Sequence, residues 1–271
     1  MPVSTEVPQI RFGRLLALVL LAQVCALFLR SWLEIELDFR GIANATHLSY
    51  LVVPPVLLAL LLPLLREHKA TVLERLNFQQ LTWKLIGTGL LLGVLLRISN
   101  WCALIILGVV QLPTTDAPIF NEMPITGFQC PPVSALLSLV TIFAMLTPVV
   151  EEALNRGLIL HWLLVRGRRV AIVLSAFFFA IFHAPEDIPF AFGFGLFAAV
   201  YVLNSGNLWG AIIAHGTFNG LNALDWLCFR IVWQPSGQST TLVLIAAFAL
   251  AIGIATTVTS FRIVRKRTTE Q

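Results

Sequence analysis

Charge is what this chain has least of. Only 12% of its 271 residues are Asp, Glu, Lys or Arg, against about 25% in an ordinary soluble domain. The hydrophobic share is 58% and the mean hydropathy is +0.86, so a water-soluble surface is excluded for most of the chain. Cysteine is also sparse. Cys25, Cys102, Cys130 and Cys228 form no CxxC and no zinc-ribbon spacing, which leaves them reading as small hydrophobes. No internal repeat and no low-complexity tract appears. The net charge of +4 does not point to nucleic acid, because the basic residues are spread over segment ends, where they report topology instead.

What is present is a series of long apolar runs. A membrane span needs about 20 mostly apolar residues at ~1.5 Å rise each. Eight runs read as spans, roughly 15–32, 48–65, 85–111, 133–165, 170–183, 188–204, 207–224 and 241–261, the fifth of them short. The predicted fold class is therefore all-α, a polytopic transmembrane helix bundle of about eight spans. Arg11 and Arg14 before the first run resemble a signal peptide, but Arg30-Ser31-Trp32 follows without a small-x-small site, so an uncleaved first span is expected. Pro54-Pro55 predicts a kink in the second span.

Lys and Arg set the orientation. With the N-terminus cytoplasmic, the cytoplasmic segments hold 13 of the 18: Arg11, Arg14, Arg66, Lys69, Arg75, Lys84, Arg166, Arg168, Arg169, Arg262, Arg265, Lys266 and Arg267. The opposite side holds 3, Arg30, Arg40 and Arg230, while Arg97 and Arg156 lie within spans. Both termini are then cytoplasmic, and losing or adding one span breaks the alternation. The compact chain, without long extensions, points to a bacterial plasma membrane.

Ionisable groups inside a membrane are costly and are functional candidates by default. The fourth run ends in "VVEEALNRGL", residues 149–158. Glu152 and Arg156 are one helical turn apart with the glutamate first, the better orientation for a pair. Glu151 points about 100° away. The motif thus divides itself: Glu152 is placed to be neutralised by Arg156, and Glu151 to act elsewhere, as a general base for instance. A purely structural ion pair at the membrane border is the plain alternative.

His183 closes "FFFAIFH", with Phe179 four residues earlier on the same face; His215 and Asn219 in "HGTFN" are likewise i and i+4. A single intramembrane His is commonly a packing residue, but two His, an Asn and a Glu pair on three spans are harder to explain that way. Glu151 lies 15 residues before Arg166 and His183 lies 14 after Arg169, which puts both ~21–23 Å from one basic loop. His215, 8 residues past Asn207, is ~12 Å in, a looser match. Arg97 sits too deep for easy snorkelling and calls for a carboxylate partner, a helix break or a direct role. His161, Glu186, Asp187, His47 and His68 read as border or loop residues.

E-E-x-x-x-R (Glu151, Glu152, Arg156), F-x-x-x-H (Phe179, His183) and H-x-x-x-N (His215, Asn219), in this order, resemble the CPBP family of CaaX prenyl endopeptidases, also called Abi proteins. The resemblance covers about residues 133–225. It implies a protease core there; the apolar runs put three further spans and a loop in 1–132, and the last loop, span and basic tail in 226–271. It implies an intramembrane endopeptidase acting on a membrane-associated or lipidated peptide or protein, in contact with the lipid bilayer and not with nucleic acid. Glu151 would activate water with His183 beside it, His215 and Asn219 would stabilise the oxyanion, and Glu152, Arg156 and Phe179 would support them. His-Glu-x-x-His and Gly-x-Ser-Gly are absent, and Gly193-Phe194-Gly195 is followed by Leu196 rather than Asp, so other intramembrane protease classes are not indicated.

Glu151, His183 and His215 also make a set of two imidazoles and one carboxylate that suits zinc with an open fourth position. A metal-free glutamate mechanism uses the same residues and is the preferred reading. Two non-proteolytic alternatives stand beside it, an immunity or scaffold protein of the same fold and a transporter; against the latter, no repeated halves are found.

Overall fold

The computed structural model describes residues 12–42, 48–67, 72, 74, 76, 81–111, 133–183, 187–224 and 247. Every regular element among them is helical, and no strand occurs. Three of the helices are long and apolar enough to cross a membrane, over Leu16–Phe39, Trp83–Cys102 and Ile188–Ser205. Their outward side chains fit such a solvent: Phe28 is 74% exposed and Ile35 69%. Large apolar side chains facing outwards in rows are unfavourable in water and ordinary against lipid. The eighth expected span, 241–261, and the loop 113–132 lie outside the described residues, apart from a helical residue at 247. So do His47, His68, Glu186, Cys130 and Cys228.

The chain divides into two compact units, Met1–Thr82 with Met145–Ile212, and Trp83–Ala144 with Ile213–Gln271. In the first unit, α1 (Phe12–Phe39) packs on α2 (Val53–Glu67). α1 ends where Gly41 takes φ 68°, with the Ile42 N–H donating back to the Leu37 carbonyl at 3.0 Å; a residue without Cβ takes that conformation without strain. Pro54 and Pro55 fall in the first turn of α2, directly after the 3₁₀ turn Tyr50–Val52, so they sit where the helical spacing changes. Pro63 is the proline inside it.

The second unit contains α3 (Trp83–Gln111) and α4 (Val133–Thr141). Beyond α4 the backbone is helical without a break to residue 166, but its hydrogen-bond spacing changes repeatedly. A π turn spans Ile142–Leu146, α5 spans Thr147–Glu152, a second π turn spans Ala153–Ile159, α6 spans Leu160–Leu163, and a 3₁₀ turn closes at Leu164–Arg166. From Met145 onward this rod belongs to the first unit.

α7 (Arg168–Ala180) and α8 (Ile188–Ser205) make the most extensive helix pair of the first unit. Gly195 permits their close approach: a Cβ there would stand 2.8 Å from Ala176 Cα, inside contact distance. Gly206, at φ 68°, ends α8. Asn207 then uses its Oδ1 to accept the Trp209 N–H at 2.6 Å, satisfying an otherwise orphaned donor as α9 (Trp209–Leu224) begins.

Candidate active site

The first unit places the glutamate pair in α5, between two π turns. π turns inside α-helices are uncommon and recur at functional sites, because the extra residue per turn re-aims the side chains around it. Glu152 and Arg156 pair as the i, i+4 spacing predicts. Arg156 Nη1 donates to Glu152 Oε1 at 3.0 Å, and both side chains are 0% exposed. The guanidinium also donates from Nη2 to the Gly195 carbonyl at 3.4 Å and lies over the Phe179 ring at 4.4 Å and the Phe194 ring at 5.7 Å. Charge, hydrogen bonds and aromatic faces together make its burial tolerable.

Glu151 is partly buried, on a different side of the helix from this pair. Its backbone carbonyl accepts the Asn155 Nδ2–H at 2.9 Å, and the Asn155 carbonyl in turn accepts the hydroxyl of the fully buried Ser175 at 3.1 Å. α7 is thereby tied to the second π turn directly below the glutamates. His161 Nδ1 bonds the Arg156 carbonyl at 3.2 Å, one π-type spacing back, and serves the rod itself.

His183 lies just past α7, in the turn whose backbone closes from the His183 N–H to the Ala180 carbonyl at 3.0 Å. Its Nδ1 meets the Phe179 carbonyl at 3.0 Å, and its ring rests against the Phe179 ring with centroids 4.7 Å apart. A carbonyl oxygen only accepts, so Nδ1 carries a hydrogen, and in the neutral ring Nε2 then holds the lone pair. Arg156, Phe179 and His183 thus form one stack in which the guanidinium holds the phenyl ring and the phenyl ring holds the imidazole.

His215 and Asn219 stand on α9 in the second unit. His215 is 4% exposed. Asn219 is partly buried, and its Nδ2 donates to the Phe143 carbonyl in the first π turn at 3.1 Å. Gly220 beside it brings α9 close: a Cβ there would lie 3.2 Å from Ala144 Cβ. On the other side, α9 crosses α3 at Gly93, where a Cβ would come within 2.4 Å of Thr217 Cβ. α3 runs through Arg97 without a break. Arg97 Nη1 donates to Asn100 Oδ1 at 2.6 Å, and the guanidinium lies over the rings of Trp101 at 5.4 Å and Phe218 at 5.6 Å.

Residues 133–221 match the family model described as type II CAAX prenyl endopeptidase Rce1-like. The match covers one segment of the chain and is a likeness to that family. The match takes in all the residues of the three motifs, from Glu151 to Asn219. No curated protein matches the chain.

The CAAX family points to a membrane-embedded protease, in keeping with the long apolar helices. Among the described residues no three His, Cys, Asp or Glu side chains are grouped to hold a metal ion. Three residues escaped the motif reading. Asn155 and Thr147 flank Glu151 at i+4 and i−4, a spacing that could have singled them out. Ser175 sits 20 residues from the carbonyl it bonds and carried no such signal.

Proposed function

We propose that this chain is an intramembrane endopeptidase that uses a glutamate-activated water to cut a membrane-associated peptide, of the prenylated class that the family description names. The observation that carries the reading is the division of labour inside E-E-x-x-x-R. Glu152 is taken up by Arg156 at 3.0 Å with both side chains fully buried, while Glu151, one residue away, keeps a partly open face.

In this reading Glu151 accepts a proton from water as the water oxygen attacks the scissile carbonyl carbon. His183, with its hydrogen committed to the Phe179 carbonyl, offers the Nε2 lone pair to the same water. Negative charge gathers on the carbonyl oxygen, and His215 and Asn219 supply donors there. Asn219 spends one amide hydrogen on the Phe143 carbonyl, which fixes its plane and leaves the second hydrogen for the oxyanion. Collapse of the tetrahedral intermediate breaks the C–N bond, and the proton held by Glu151 goes to the leaving amine.

Purified protein with a fluorogenic peptide ending in a farnesylated CaaX sequence tests this. Glu151→Gln is expected to lower kcat by ~10²–10⁴-fold while melting like the wild type. Near wild-type cleavage by that variant would sink the assignment. Zinc retained stoichiometrically on Glu151, His183 and His215 would keep the peptidase and replace its first step.

The core is placed in a bundle of eight spans with both termini cytoplasmic, motivated by the 13 to 3 distribution of Lys and Arg. Reporter fusions at residues 76 and 120 are expected to read inside and outside respectively, and opposite signals would invert the arrangement.

A further inference from the structure

A π turn steps five residues between hydrogen-bonded partners where an α-helix steps four, and it is the rarer of the two. The turn Ala153–Ile159 is held open largely through Asn155. The Asn155 carbonyl accepts the Leu160 N–H, five residues on, which is the π step itself. The same carbonyl accepts the Ser175 hydroxyl from α7 at 3.1 Å. The Asn155 side chain reaches the other way, and its Nδ2 donates to the Glu151 carbonyl at 2.9 Å. That bond crosses the junction where α5 gives way to the π turn. Asparagine side chains compete readily with backbone donors in this manner. Asn155 and Ser175 are both buried, so bulk water does not compete for these bonds.

The π register controls a direction. If the turn reverted to α spacing, the chain would lose one residue of winding. Everything before the turn would then rotate by about 100° relative to everything after it. Glu151 lies just before the turn, and the fully buried Leu160 and Leu163 lie just after it. The heading of the Glu151 side chain relative to the packed end of the rod is therefore set by this turn.

α7 carries the matching half. It returns along the rod after Gly167, which takes φ 96°. Ser175 and Phe179 are i and i+4 on one face of α7, and Phe179 holds the His183 ring with centroids 4.7 Å apart. Counted from the Asn155–Ser175 bond, Glu151 is one four-residue step along the rod and Phe179 is one such step along α7. Asn155 falls on an unspecified position of E-E-x-x-x-R, and Ser175 lies outside F-x-x-x-H.

We infer that Asn155 and Ser175 are positioning residues for the Glu151 base: Asn155 fixes the backbone beneath it, and Ser175 locks the π register of its rod to the helix that leads to His183. This rests on the reading of Glu151 as the base. Both residues act through Glu151, without contact to the reacting atoms.

The test uses the full chain in the farnesylated-peptide assay, with rates taken per folded molecule and well below each variant's thermal midpoint. Ser175→Ala and Asn155→Leu are each expected to lower kcat about tenfold or more, as for a misdirected catalytic group, with KM unchanged. Ser175→Thr keeps the hydroxyl and adds a methyl group to a packed site. It is expected to keep most of the rate even where its midpoint falls. The double variant, Ser175→Ala with Asn155→Leu, is expected to be no slower than the slower single variant, because both residues act on one register. Independent losses would multiply instead. Rates that follow the thermal midpoint across the series, Ser175→Thr included, would overturn the inference. So would multiplying losses in the double variant, or the failure of both single variants to fold. Wild-type kcat in Ser175→Ala and Asn155→Leu, beside an inactive Glu151→Gln, would overturn it and leave the base in place. Glu151→Gln cutting like the wild type would remove the base, and with it the group these two residues position.

Discussion

Arg156, 0% exposed in the first unit, and Arg97, 7% exposed in the second, put the same cation into the same kind of apolar helix. Their surroundings overlap in one respect and differ in another. Each guanidinium lies over two aromatic rings, Phe179 and Phe194 for Arg156, Trp101 and Phe218 for Arg97. Arg156 is also bonded to a fully buried carboxylate four residues before it. Arg97 donates to an amide oxygen three residues after it. A full negative charge beside a buried cation is strong but unforgiving, since removing either partner strands the other. An amide bond is weaker and more tolerant. The ion pair is therefore the less forgiving of the two arrangements.

Glu152→Gln gives the largest expected effect. It keeps the volume and a hydrogen-bond acceptor but removes the charge bonded to a fully buried guanidinium. A loss of about 3–5 kcal/mol is typical for breaking a buried pair, read as the shift in thermal midpoint in detergent. Replacing both members, Glu152→Leu with Arg156→Met, is expected to recover most of that loss, because two apolar groups need no compensation. A loss below about 1 kcal/mol for Glu152→Gln, within the range of an exposed pair, would erase the contrast between the two arginines.

The same contrast shows what the amino-acid order discloses. Apolar runs set where helices form, and α1, α3, α8 and α9 contain or closely follow the expected limits. The Glu152–Arg156 pair was legible because both partners ride one helix at a fixed spacing. Asn100 and Trp101 stand at i+3 and i+4 from Arg97 on α3, so the same rule reaches them; Phe218 comes from α9 and only folding brings it there. The π turns on either side of α5 were not legible. They depend on which carbonyl each N–H selects, a competition decided by neighbouring packing and not by apolar spacing. The Asn219 bond to the Phe143 carbonyl, 76 residues away, is of that kind too.

Asn100→Leu sharpens the comparison from the other side. It removes the acceptor at 2.6 Å from Arg97 Nη1 and leaves the aromatic faces in place. Hydrogen bonds to charged groups are worth about 1.5–3 kcal/mol, so a loss in that range is expected in the same melting experiment, smaller than for Glu152→Gln. A loss equal to that of Glu152→Gln would mean that the amide is as indispensable as the carboxylate, and the two sites would then differ only in geometry.

The smallest effect tests the feature the two sites share. Phe179→Leu and Phe218→Leu each remove one ring from beneath a guanidinium. Arg156 lies 4.4 Å from the Phe179 centroid and Arg97 lies 5.6 Å from that of Phe218. The attraction follows the ring quadrupole and fades towards about 6 Å, from about 2 kcal/mol when close and desolvated to about 0.5 kcal/mol at the limit. Phe179 is also 3% exposed, so its truncation empties a packed site, whereas Phe218 is only partly buried. Phe179→Leu is therefore expected to cost more than Phe218→Leu, which is expected to fall near 0.5 kcal/mol. Phe179 also carries the ring on which His183 rests, at 4.7 Å. Its loss is expected to lower kcat in the peptide assay beyond what its melting shift explains. Phe179→Tyr, keeping the aromatic face, is expected to recover part of both. Equal losses for the two leucine variants, with unchanged kcat in Phe179→Leu, would show that the rings serve both arginines alike as packing and that His183 holds its place by the Phe179 carbonyl alone.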